Sequence, residues 1–241
     1  MKNTLFYITG TSKGIGKALA LNALEKGATV IGIARSKSIE HQNYTHYSLD
    51  LSDVKKVTEF SFARKKNFDK IVLINNAGRL GKTSYVGNLE PSDIQKSIDV
   101  NLTSPFILLN NFVKAYKDHP SNKFILNMSS GAGKHPYDGW ASYCSTKAAL
   151  DMITRVLEKE LSERKNETFK IYACSPGVVE TNMQNQIRNS ETKYFSSKDR
   201  FISMHENGEN KTPEVAAREL ISLISSPEKF KDLFPDFWQG A

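Results

Sequence analysis

Thr4-Leu5-Phe6-Tyr7-Ile8-Thr9 runs directly into Gly10-Thr11-Ser12-Lys13-Gly14-Ile15-Gly16. The first six residues are apolar, aromatic or β-branched and stop at a glycine, which reads as a buried strand. From Gly14 the pattern IGKALALNALEKG places apolar residues at helical spacing and ends at Gly27, a helix C-terminal signal. Between strand and helix lies Gly-x-x-x-Gly-x-Gly rather than Gly-x-Gly-x-x-Gly. Glycines let the backbone turn tightly and approach a ligand, and the helix start offers unpaired N–H groups to a pyrophosphate. Three glycines alone are weak evidence, and a tight turn without a ligand is the alternative. The position between first strand and first helix favours the phosphate loop.

Working outward, strand and helix patterns alternate. Strands are expected at Ala28–Ala34, more weakly at Tyr44–Leu49, then at Lys70–Ile74, Lys123–Met128 and Lys170–Cys174. Helices are expected from Asp53 to about Lys66, from Pro91 to about Tyr116, from Trp140 to about Glu163, and over Pro213–Ser225 behind Thr212 as N-cap. Such alternation predicts an α/β chain with a parallel sheet covered by helices on both faces. One domain over residues 1–241 is expected, since no linker, repeat or low-complexity tract interrupts it. Residues 184–211 form a long polar stretch without a clear core pattern, readable as a substrate loop or as a poorly ordered surface insertion.

Composition narrows the field. The 241 residues carry 33 Lys+Arg against 26 Asp+Glu, a net charge of +7. The basic residues are scattered, which predicts a solvated surface and no nucleic-acid stripe. The apolar runs are too short for a bilayer span or a signal-peptide core, so no membrane association is expected. Two cysteines, Cys144 and Cys174, point to free thiols in a cytoplasmic chain. Cys144 is expected to pack inward. Histidines at 41, 46, 119, 135 and 205 lack metal-ligand spacing, and no metal is expected.

A proton-transfer pair stands at Tyr143 and Lys147, four apart and therefore on one helix face. A free tyrosine titrates too high to exchange protons readily at neutral pH, and a nearby cation is expected to lower it. Spacing alone is poor evidence, because Tyr194 and Lys198 repeat it. Tyr143 opens the amphipathic segment AALDMITRVLEKEL, whereas Tyr194 lies in the polar stretch and is read as coincidence. After the second strand come Ala34-Arg35-Ser36. An acidic residue there would accept from the ribose hydroxyls of NAD, whereas a guanidinium suits the 2′-phosphate of NADP. Lys13 is a second candidate cation. Solvated surface charge is the alternative for both.

TGTSKGIG, NNAG, the Asn101 of DVNLTSP, NMSSGAG, YCSTK and SPGVVET, in this order and spacing, together resemble the short-chain dehydrogenase/reductase family. The resemblance runs from Leu5 to about Ile224. It implies a single-domain, Rossmann-type doubly wound sheet of about seven strands. It also implies an NADP(H)-dependent oxidoreductase acting on a small-molecule carbonyl, with Tyr143 as proton donor. Lys147 would lower its pKa and bind the nicotinamide ribose. Ser130, not Ser129, would hydrogen-bond the substrate carbonyl, and Asn101 would hold a water linking Lys147 to solvent. Cofactor contacts would fall on Gly10, Ser12, Lys13, Gly14, Ile15, Gly16, Arg35, Asp50, Leu51, Asn76, Ala77, Gly78, Tyr143, Lys147, Val179 and Thr181. Asp50 would meet the adenine amino group, or else cap the following helix.

GWASYCSTKAALDM followed by SPGVVETNMQ is similar to the sepiapterin reductase branch and its relatives that reduce benzil, a 1,2-diketone. KFKDLFPDFW loosely resembles the tail whose aspartate anchors a pterin, which would make Asp236 a substrate contact; a docked tail is the alternative. Trp140, Gly177 and Met183 are candidate pocket walls beside Ser130 and Tyr143, with Trp140 and Met183 equally readable as core. The resemblance implies a homo-oligomer, with a dimer favoured and a tetramer possible. A non-catalytic NADP-binding redox sensor on the same fold is the competing reading.

Overall fold

The computed structural model describes residues 1–63 and 67–237. Six parallel strands, β1 (Thr4–Thr9), β2 (Thr29–Ala34), β3 (Tyr44–Ser48), β4 (Lys70–Asn75), β5 (Asn122–Met128) and β6 (Phe169–Cys174), form one sheet in the order β3-β2-β1-β4-β5-β6. The order reverses between β1 and β4, which opens a crevice at the carboxyl ends of those strands. The period-two alternation of β1 feeds both faces. Phe6 and Ile8 join one core with α1 (Gly14–Glu25) and α8 (Pro213–Ser225). Leu5 and Tyr7 join the other with α4 (Ser104–Tyr116) and α5 (Ala141–Glu163). This is the doubly wound architecture.

The described residues hold six strands, one fewer than about seven. Along the outer edge of β6 the described tail residues make only fragments of a ladder. Leu233 O accepts from Ala173 N at 3.1 Å, and Ser175 and Asp236 form one isolated parallel bridge. Pro235 has no N–H with which to extend it.

Three other expectations change. The helix placed from Asp53 to about Lys66 is α2, Val54–Glu59; residues 64–66 lie outside the described residues. Phe60 and Phe62 both enter the core, and an extended chain puts i and i+2 on one face where a helix would not. The helix expected from Pro91 to Tyr116 is split into α3 (Pro91–Ile98), a π-helical turn over Asp99–Thr103, and α4. Such turns recur at functional sites, and Asn101 sits in this one. The 184–211 stretch is folded: it holds most of α6 (Asn182–Arg188), a 3₁₀ turn at Thr192–Tyr194, and α7 (Lys198–Glu206). Its apolar residues Ile187, Phe195, Phe201 and Met204 are buried. Spread over two short helices and the turn between them, they make no stripe long enough to read as a period.

Candidate active site

A cavity of about 1220 Å³ occupies the crevice. At one end is the β1–α1 loop. Gly10 and Gly14 adopt positive φ, +77° and +57°, a conformation costly for other residues. A Cβ on Gly10 would come within 2.9 Å of Asn76 Nδ2. The start of α1 carries neither a side-chain cap nor an acidic residue in its first turn, and Ser12, Lys13, Gly14 and Ile15 face the cavity. An anionic group suits such a free, electropositive helix start. Gly16 does not line the cavity. It lies beneath the loop, where an added Cβ would meet Gly10 O at 2.3 Å, so the close packing there requires a glycine.

Arg35, Asp50 and Leu51 line the same region. The Arg35 guanidinium is exposed and forms no ion pair among the described residues. Asp50 does not cap α2, which is capped by Asp53 accepting from Lys56 N. Asp50 Oδ1 instead accepts from Ser52 N and Ser52 Oγ, both at 2.9 Å. Burial raises its pKa, but these bonds, with Arg35 and Lys96 nearby, hold the carboxyl below its usual range.

The β4 end is tied to the β1 end. Thr9 Oγ1 accepts from Asn76 N at 2.9 Å and Ala77 N at 3.0 Å, and Asn76 Nδ2 donates to Thr9 O. Asn76, Ala77 and Gly78 thereby reach the cavity wall, with Val179 and Thr181 also lining it. A Cβ on Gly78 would lie 3.5 Å from Asn101 Oδ1 and 3.8 Å from Lys147 Nζ, so this glycine leaves room between the two.

Ser130, Tyr143 and Lys147 converge on the cavity from the end of β5 and from α5. The Ser130 hydroxyl, which accepts from Ala132 N at 3.2 Å, lies close enough to the Tyr143 phenol to bear on its titration, while Ser129 bears on Asp151. The expected lowering of Tyr143 by Lys147 is not the balance found. Burial pushes Tyr143 up to about 12, against which the Ser130 hydrogen bond pulls down. Burial pushes Lys147 down to about 8, with the Asp151 charge pulling back up. Lys147 Nζ donates to Met128 O at 2.6 Å and stands 5.6 Å from the Tyr143 ring centroid. Asn101 is buried and off the cavity wall, and its side chain is already engaged. Its Oδ1 accepts from Arg79 N at 2.8 Å, and its Nδ2 donates to Arg79 O at 2.8 Å and to Thr146 Oγ1 at 3.3 Å. Its side chain thereby pins the loop after β4. Arg79, itself paired with Asp93, is a residue that motif reading passes over; only its place after Asn75-Asn76-Ala77-Gly78 marks it.

Beyond Tyr143 the wall is aromatic. Trp140 stacks on Phe195 at 4.7 Å and on Tyr137 at 4.8 Å, and meets Tyr143 edge-on at 6.0 Å. Trp140 is thus both core and pocket wall, and Met183 and Gly177 also line the cavity. Asp236 reaches the same cavity from its bridge to Ser175. Tyr194 lies off it, edge-on to Tyr85. Cys144 is only half-buried, at the margin of the aromatic cluster, because its helix face looks along the surface rather than inward. Cys174 is fully buried. Among the described residues no helix is long and apolar enough to cross a membrane, and no three His, Cys, Asp or Glu gather as a metal site.

Comparison with known proteins agrees with this geometry. A family model described as short chain dehydrogenase matches residues 4–192. A benzil reductase ((S)-benzoin forming) from Bacillus cereus is 39% identical over 234 residues, covering 92% of this chain and 94% of its own. A sepiapterin reductase from Rattus norvegicus is 28% identical over 240 residues, covering 90% and 89%. The crystal structure of the KRED1-Pglu enzyme superposes with a TM-score of 0.77 at 27% identity, covering 91% of this chain and 94% of that one. With its sheet order, its glycine cradle and these relatives, the chain belongs to the short-chain dehydrogenase/reductase family, and to the part of it that holds benzil and sepiapterin reductases.

Proposed function

We propose that this chain is a cytoplasmic, NADPH-dependent carbonyl reductase, one domain over 1–241, that reduces one carbonyl of a 1,2-diketone. Benzil-like substrates come first and sepiapterin-like ones second. The observation that carries the reading is the meeting of Ser130, Tyr143 and Lys147 on the wall of a cavity whose other end is the Gly10/Gly14 cradle. NADPH bound there supplies a hydride to the carbonyl carbon. Ser130 and Tyr143 donate hydrogen bonds to the carbonyl oxygen and stabilise the charge that develops on it. Tyr143, protonated throughout the neutral range, gives that oxygen its proton. Lys147 places a positive charge behind the phenol and favours the phenolate left afterwards. Trp140, Met183 and Gly177 form the wall for the substrate body, with Asp236 at its edge. The direct test is NADPH with a panel of dicarbonyls: benzil should be turned over, and loss of every activity to the level of a Tyr143→Phe control would overturn the reading.

The unpaired Arg35 supports NADP over NAD, with Lys13 as the second cation. Arg35→Glu should weaken NADPH binding about 10- to 100-fold, as expected for loss of charged hydrogen bonds, and leave NADH nearly unchanged. Fluorescence titration with both cofactors checks this; equal loss of both removes the 2′-phosphate role. The assembly proposed is a homodimer through α4 and α5. Phe106, Met152 and Val156 leave apolar side chains exposed there, at 50%, 58% and 49%. Light scattering at micromolar concentration should report twice the chain mass, or four times for a tetramer; a monomer contradicts it.

A further inference from the structure

The 182–210 segment lies between Glu180 and Lys211, and its two legs are joined at the base by an isolated parallel bridge between Val179 and Lys211. Glu180 N donates to Lys211 O at 2.8 Å, and Lys211 N to Val178 O at 2.9 Å. Beside that base the Glu180 carboxylate gathers side chains from across the segment. Arg188, the last residue of α6, grips it with both arms: Nη2 donates to Oε1 at 2.6 Å and Nη1 to Oε2 at 3.0 Å. Asn210 Nδ2 donates to Oε2 at 2.8 Å, and His205 Nδ1 of α7 lies 3.0 Å from the same oxygen. Two-armed pairing adds geometric definition as well as energy. The Arg188 side chain is only 12% exposed, so salt screens this pair less than a surface one. Led by the Arg188 hydrogen bond, these partners hold the carboxyl down at about 2 despite its burial, so it stays charged wherever the enzyme works. Ile187, Phe201 and Met204 line the cavity, as does Glu180 itself, and Ile187 and Phe201 share a cluster with Trp140 and Tyr143.

We propose that Glu180 is the positioning residue of a substrate lid: one carboxylate fastens α6, α7 and the returning leg together and thereby fixes the apolar wall that a bulky carbonyl substrate meets. The kinetic consequence rests on the carbonyl-reductase reading, while the mechanical consequence rests on the geometry alone.

Glu180→Gln keeps the shape and removes the charge. KM for benzil should rise about tenfold, with kcat and the NADPH Kd each within about twofold. Trypsin should cut at Lys193, Lys198 and Arg200 about tenfold faster, because cleavage follows the population of the open lid. Arg188→Gln removes the same pair from the other side and should give the same signature, which keeps the test alive if Glu180→Gln does not fold. A residue with a merely structural role would lower thermal stability and leave both KM and lid cleavage at wild-type values; that result overturns the proposal. If wild-type protein reduces no carbonyl, faster lid cleavage in the variant still supports the fastening, and unchanged cleavage still overturns it. Failure of the enzyme reading is thereby told apart from failure of this one.

Discussion

Replacing Tyr143 by Phe should lower kcat for carbonyl reduction about 10³-fold, the range for removing a positioned general acid. The substitution is small in every other respect. Tyr143 is 8% exposed, sits in the first turn of α5 and packs edge-on against Trp140; the phenylalanine ring keeps that contact. What disappears is one oxygen, the phenol that lies beside Ser130 on the cavity wall. Stopped-flow or steady-state NADPH oxidation reads the loss, and fluorescence titration should show that NADPH still binds. A variant within about tenfold of wild type would mean that another group delivers the proton. Tyr194, which has the same spacing to a lysine, serves as the control: Tyr194→Phe should leave kcat unaffected, since that ring lies off the cavity against Tyr85.

Gly16→Ala should destabilise the fold by about 3 kcal/mol, at the upper end for overpacking, and lower Tm by about 6–12 °C for a chain of this size. The sign is the point. In an ordinary helix position alanine is better than glycine by about 1 kcal/mol. Here the new Cβ would stand 2.3 Å from Gly10 O and 2.4 Å from Asn76 Nδ2. Neither neighbour can yield alone. Gly10 O belongs to the backbone of the cradle, and Asn76 is tied to Thr9 through both its backbone and its side chain. Relief therefore has to come from shifting the β1–α1 loop, and NADPH affinity should fall at least about tenfold with it. Thermal unfolding and cofactor titration together check this; a Tm equal to or above wild type would show that the helix meets the loop differently.

These two residues also show what a one-dimensional reading reaches. The β1–Gly10–α1 unit was legible because local chemistry determines it: a buried strand, glycines where φ turns positive, then an apolar period. The alternation of strand and helix was legible for the same reason, since strands covered on both faces are continuous apolar runs. What escaped depends on partners distant in sequence. Phe60 and Phe62 read as helix until the aromatic cluster around Tyr7 and Phe112 fixes them on one face. The 184–211 stretch reads as polar because its few buried aromatic side chains find their core against Tyr137 and Trp140. The packing demand on Gly16 is hidden because the need for close packing and the need for ligand access select the same residue. The Tyr143–Lys147 spacing predicts a shared helix face, and it holds. It says nothing of burial, which is the largest influence on both titrations.

The central claim is that one hydride and one Tyr143 proton reach a single carbonyl of a diketone in this cavity. The most direct measurement follows NADPH consumption and product together in a reaction with benzil, resolving the product on a chiral column. The account predicts equal amounts of NADPH oxidised and hydroxyketone formed, a single enantiomer in excess, and neither in Tyr143→Phe. Tight NADPH binding with no dicarbonyl turned over would contradict it and leave the chain as a cofactor-binding sensor.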